Sequence, residues 1–186
     1  RKRMNVFYLD RDPVVSAEYH CDAHLRKMLI EYAQMLSTAH WLSTSDDDIE
    51  RAMNNKLYKP THVKHPSSLW TRSHPWAYGY VFTMWSTMQL IYLERYGKEH
   101  GSIRLQPSLT IIPQPLVKDY VELDEETCKP PPMCFGEDYK HIKTGKLPYY
   151  HDHVVDAYRE YYRQAKSRFA TWGKGRALPK WWLRVA

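Results

Sequence analysis

Between residues 20 and 40 the apolar positions recur every three or four places, a rhythm that predicts an amphipathic helix. Leu25, Met28, Leu29, Tyr32, Met35, Leu36 and Ala39 fall on one arc, the face expected to meet a core. Beside it His20, His24, Lys27, Glu31, Gln34 and Thr38 keep the same spacing and predict a second, polar stripe along the helix. A different pattern covers residues 76–96, where Val81, Phe82, Met84, Trp85, Met88, Leu90, Ile91 and Leu93 are spread almost all round. That pattern predicts a helix enclosed by its neighbours, with Ser73 as N-cap, Pro75 in the first turn and Gly97 closing it. A third periodic run, Val154, Val155, Tyr158, Tyr161, Tyr162, Ala165, Phe169 and Trp172, predicts a helix over residues 152–172 ended by Gly173.

Elsewhere the periodicity breaks. Asn5 to Leu9 reads as an extended lead-in, interrupted by Asp10-Arg11-Asp12-Pro13, with helical character resuming from Pro13 to Glu18. Ser43 to Asp48 ends the central helix and precedes a short one. Residues 58–76 hold three prolines and three histidines, which predicts a structured loop with one helical turn after Pro66. Prolines 107, 113, 115, 130, 131, 132 and 148, with an acidic run from Asp119 to Glu126, predict loops through residues 98–150. The expected architecture is therefore all-α: one compact helical bundle over residues 1–186, with an irregular Pro-rich segment (98–150) and a basic aromatic tail (173–186).

Charge sharpens this picture. The formal net charge is +6, yet residues 157–186 carry eight Lys or Arg against one Glu, leaving the rest close to neutral. Seven Trp and fifteen Tyr add stacking surface. A cationic, aromatic segment on a near-neutral body suits a polyanion, with Arg159, Arg163, Lys166, Lys174, Arg176, Lys180, Trp181 and Trp182 as the expected nucleic-acid contacts. Three cysteines give no even disulfide framework. The chain shows no signal peptide and no membrane span, so a cytoplasmic protein is expected; Arg1 to Arg3 precede Met4.

The polar stripe carries the candidate chemistry. An amine near a carboxylate can form a Schiff base while the carboxylate moves protons, and Lys27 and Glu31 are one turn apart. As an exposed i,i+4 pair they would contribute only a few tenths of a kcal/mol. His24 would support Glu31, with His20, Gln34, His65, Trp70 and Arg72 as candidate substrate contacts. A metal-dependent hydrolase using His20, Asp22 and His24 is a further alternative, although Cys21 stands where a metalloprotease motif carries Glu. Cys128 and Cys134 are too widely spaced for a zinc knuckle, and no cofactor is expected.

The segment Asp22-Ala23-His24-Leu25, with Glu31 seven residues beyond His24, resembles the first helix of the pyrimidine-dimer DNA glycosylases of bacteriophages and bacteria. His65-Pro66 followed by Trp70, and a long helix ending Glu94-Arg95-Tyr96-Gly97-Lys98-Glu99-His100, resemble the bacterial members. The wider pattern NVFYLD-x-DP, CD-x-H, KM, AQMLSTAH and HP-x-x-x-W is similar to a group of small phage-encoded proteins. The resemblance implies a helical enzyme that grips duplex DNA in an infected bacterial host and acts on a damaged or modified pyrimidine nucleotide as N-glycosylase and abasic-site lyase. It implies Glu31 as the carboxylate catalyst and His24 as its support, with Lys27 or the N-terminal amine as nucleophile; Ile30 and Gln34 stand where the family carries arginines. A non-catalytic nucleic-acid-binding module and a DNA-base-modification factor fit the same pattern.

Overall fold

A computed structural model describes residues 4–114, 128–136, 139, 151–173 and 175–183. Among them the secondary structure is entirely helical. The order is α1 (Pro13–Tyr19), α2 (Asp22–Trp41), α3 (Asp46–Asn54), α4 (Pro66–Thr71), α5 (Pro75–Tyr96), a 3-10 turn (Gly101–Leu105), α6 (Gln106–Leu109) and α7 (His151–Ala165). The all-α expectation holds, and no described helix is long and apolar enough to cross a membrane.

Helix α2 lies at the centre. Its predicted apolar arc from Leu25 to Ala39 is buried throughout, and α3, α4 and α5 all pack on it. The α5 side chain Trp85, itself fully buried, donates its indole N–H to the Leu29 carbonyl at 2.9 Å, which fixes the two long helices against each other. Full burial of a side chain of Leu size contributes about 1.5–3 kcal/mol, so this arc is a main source of stability.

The lead-in, residues 4–9, is extended and buried without being part of a sheet. Side chains take the place of a partner strand. Tyr32 accepts the Phe7 N–H, Ser16 bridges the Phe7 carbonyl and the Leu9 N–H, Arg159 donates to the Leu9 carbonyl, and Ser67 donates to the Met4 carbonyl. A buried backbone needs such partners wherever a ladder is missing.

Three expectations about element ends need correction. His20 does not belong to α2: α1 stops at Tyr19, His20 and Cys21 are extended, and α2 begins at Asp22. The Cys21 N–H is taken by the Tyr162 hydroxyl at 2.9 Å, which prevents a continuous helix through this point. The N-cap of α5 is His74 rather than Ser73, because His74 Nδ1 accepts the Trp76 N–H; His65 and His100 cap α4 and the 3-10 turn in the same way. Helix α7 ends at Ala165, not Trp172. Residues beyond it turn back onto the α1–α2 junction, where the Thr171 carbonyl accepts the Asp22 N–H and the Trp172 indole donates to the Tyr19 carbonyl. Those tertiary bonds outweigh the helical periodicity of the segment. Gly97 closes α5 as expected, in the left-handed conformation that favours glycine.

Candidate functional site

The N-terminal half of α2 and the residues before it hold two tyrosine–histidine relays of matching design. In the first, the Tyr32 hydroxyl accepts the Phe7 N–H at 3.1 Å and donates to His20 Nε2 at 2.8 Å. His20 Nδ1–H then donates to the Ser16 carbonyl at 2.6 Å. In the second, the Tyr162 hydroxyl accepts the Cys21 N–H and shares a hydrogen bond with His24 Nδ1 at 2.8 Å. The Ser16 carbonyl can only accept, so His20 carries its hydrogen on Nδ1 and takes the Tyr32 hydrogen at Nε2, whereas the Tyr162 hydroxyl, with one hydrogen and two lone pairs, can serve His24 Nδ1 as donor or acceptor.

Burial keeps both rings neutral. It pushes His20 down to about 4, against a partly compensating bond to Ser16. It pushes His24 down to about 2, with further lowering by His20, Lys166 and Lys27. The relays differ at the second ring nitrogen. His20 has both nitrogens engaged and is fully buried. His24 Nε2 has no hydrogen-bond partner among the described residues. The Phe7 ring lies 4.4 Å from the His24 ring and 5.6 Å from that of Tyr162, so the apolar wall of the second relay comes from the lead-in.

The remaining stripe residues divide by exposure. Glu31 is 4% exposed, Thr38 is buried and accepts the Thr61 N–H, Gln34 is half-buried, and Lys27 faces solvent. His24 and Glu31, seven residues apart on a helix rising 1.5 Å per residue, are separated by about 10 Å along its axis, with Lys27 between them.

Other expected contacts have structural partners. Trp70 is a core residue whose indole donates to the Lys129 carbonyl, and His65 caps α4. Arg72 holds the preceding loop through the Val63 carbonyl and the Ser68 hydroxyl, and burial lowers its pKa. Of the cationic set, Arg159 pairs with Asp10 at 2.9 Å and Arg163 with Glu160 and the Trp181 carbonyl. Arg176 binds Asp22 at 2.8 Å together with the Glu18 and His20 carbonyls at the end of α1. These three arginines fold inward because uncapped carbonyls and buried carboxylates lie within their reach. Trp181 and Trp182 pack against Tyr19, Tyr162 and Trp172. Lys166 lies 4.9 Å from the Tyr161 ring centroid and also acts on His24; Lys180 is exposed, and Lys174 lies outside the described residues.

The metal alternative meets an obstacle in the same geometry. Asp22 is committed to Arg176, His20 has no free lone pair, and among the described residues no group of three His, Cys, Asp or Glu could hold an ion.

Sequence reasoning singled out His24 but missed Tyr162 and Tyr32, which read as apolar-face residues. Their signal lay in the excess of tyrosine over phenylalanine, fifteen against four, since a buried tyrosine must find a partner for its hydroxyl. No protein-family model matches this chain, and neither do curated proteins or solved structures.

Proposed function

We propose that the protein acts on nucleic acid at the His24–Glu31 segment of α2, as an N-glycosylase and abasic-site lyase. The observation that carries this reading is His24 Nε2, without a partner among the described residues and two turns from a buried carboxylate. A neutral imidazole with its hydrogen on that nitrogen can donate to a phosphate or sugar oxygen. The ammonium groups of Lys27 and Lys166 act on the same ring, so the surroundings of His24 favour an anion. The resemblance of residues 22–31 to the glycosylase helix supports the choice of reaction.

In the lyase step the Lys27 amine, after giving a proton to solvent, adds to the sugar C1′ aldehyde and water leaves, forming a Schiff base. The Glu31 carboxylate then takes the C2′ proton, a C2′–C3′ double bond forms and the 3′ phosphate departs with the C3′–O bond electrons. In the glycosylase step the same amine displaces the base from C1′, and the nucleotide must first leave the helix stack.

Borohydride trapping on oligonucleotides bearing an abasic site or a thymine dimer tests the proposal. The wild type is expected to give a covalent adduct that Lys27→Ala abolishes, while Glu31→Gln forms adduct but nicks about 100-fold more slowly. Salt-sensitive binding without any adduct would instead identify a non-catalytic binding module.

A further inference from the structure

A groove of about 330 Å³ opens between the start of α1 and the first two turns of α5, and neither His24 nor Glu31 lines it. Its α5 wall follows helical spacing: Trp76, Gly79, Tyr80 and Thr83. Trp76 and Tyr80 are in ring contact with centroids 5.5 Å apart, and Arg11 and Pro13 form the facing wall. Tyr80 is held from behind, its hydroxyl donating to the Asp10 carbonyl at 2.6 Å.

Gly79 is the informative residue. Inside a helix glycine is less favourable than alanine, and Gly79 needs neither a positive φ nor room for a neighbour: a Cβ there would meet nothing within 4 Å. The fold therefore gains nothing from the missing side chain. What it provides is a gap in the helix surface, between an aromatic face and a hydroxyl, open to something approaching from outside.

The polar groups around that gap are of one kind. The Trp76 indole N–H and the Thr83 hydroxyl have no partner among the described residues, so both can donate to a ligand. The Arg11 guanidinium at the rim pairs with Asp152 at 3.5 Å, both side chains being more than a third exposed. An aromatic face, two donors and a cation at the edge match a planar ring with carbonyl oxygens attached to a phosphate.

We infer that this groove binds a pyrimidine nucleotide unit, with the base over Gly79 against Trp76 and the phosphate at Arg11. The identity of the ligand rests on the nucleic-acid reading above; the groove itself is separate from the Lys27–Glu31 chemistry. Two sources present this unit, a free mononucleotide or one residue of a single strand.

Equilibrium binding of thymidine monophosphate and of a labelled ten-residue oligothymidylate, with inorganic phosphate as control, tests the inference. Gly79→Leu is the decisive variant, because it fills the gap with a good helix former. It is expected to keep or raise Tm while weakening binding about tenfold or more, as is Trp76→Ala, in line with the contribution of one stacked base. Arg11→Glu should weaken binding and reduce its salt dependence. Saturation by the mononucleotide identifies a free-nucleotide site; binding of the oligomer alone identifies a strand contact. Absence of binding by wild type, or equal binding by a stably folded Gly79→Leu, overturns the inference. Loss of Schiff-base trapping with intact, Gly79-sensitive binding would remove only the α2 chemistry.

Discussion

The His20–Tyr32 and His24–Tyr162 relays use the same parts, a backbone N–H, a tyrosine hydroxyl and a neutral imidazole, four residues apart in sequence. One ends at the Ser16 carbonyl inside the core, and the other ends at a ring nitrogen with no partner among the described residues. The first therefore has nothing left to offer a ligand, and its effect is on structure: it joins the lead-in, α1 and α2. The second joins α2 to α7 and still has a nitrogen to spare. Burial alone does not separate the two, since both rings are almost inaccessible. What separates a structural histidine from a candidate functional one here is the accounting of its second nitrogen.

Two further pairs extend the contrast. Tyr8 donates to His151 Nδ1 at 2.7 Å, and His151 Nε2–H reaches the Cys128 carbonyl at 2.9 Å, so this ring resembles His20. The Tyr78 hydroxyl instead donates to the Leu109 carbonyl, which makes His40 Nε2–H the donor to Tyr78. His40 Nδ1 is then a buried acceptor with no partner among the described residues.

Acid should protonate His20, His24 and His40 and loosen the contacts they make, and this is the largest effect expected. In the unfolded chain each imidazole takes a proton near pH 6.5, whereas in the fold His20 and His40 do so near 4 and His24 near 2. Between those values the unfolded state binds more protons, so stability is full above about pH 6.5 and falls as pH falls. Each histidine contributes up to about 1.4 kcal/mol per pH unit, and the three together about 4 kcal/mol per unit around pH 5. Urea midpoints measured from pH 7 to 4.5 should fall steeply; a flat profile would mean that the rings are not held neutral.

Substituting one ring at a time separates the relays. His20→Ala should destabilise by about 3–5 kcal/mol, because it leaves a cavity and strands the Ser16 carbonyl. His24→Ala should lose roughly half as much stability yet reduce nicking of abasic DNA, which thermal melts and turnover assays read separately. Equal stability losses would erase the distinction between them.

Removing a hydroxyl should cost less than removing the ring it serves. Tyr32→Phe leaves the Phe7 N–H and His20 Nε2 without a partner in the core and should cost about 2–3 kcal/mol. Tyr162→Phe should cost about 1–2 kcal/mol and free His24 to change tautomer, seen as a shifted imidazole nitrogen resonance by NMR. An unchanged His24 spectrum in that variant would show that Tyr162 does not set its protonation.

The apolar rhythm of residues 25–39 and the near-continuous apolar run of 76–96 determined, without any coordinates, that this chain is helical and which face of α2 is buried. Period is a local property, and burial of a helical face follows from it. The sequence also marked His24, Lys27 and Glu31 as neighbours on one helix. It could not assign roles to two of the cations, because Arg159 meets Asp10 and Arg176 meets Asp22 only in the closed fold, whereas Glu160 and Arg163 are neighbours on one helix. Nor could it distinguish His20 from His24. Their hydroxyl partners are 12 and 138 residues away, and the remaining nitrogen is satisfied or left open by the packing of the lead-in and α7 around them. Hydrogen-bond satisfaction is a property of the closed tertiary structure, and here it decides which of two similar side chains keeps a ring nitrogen without a partner among the described residues.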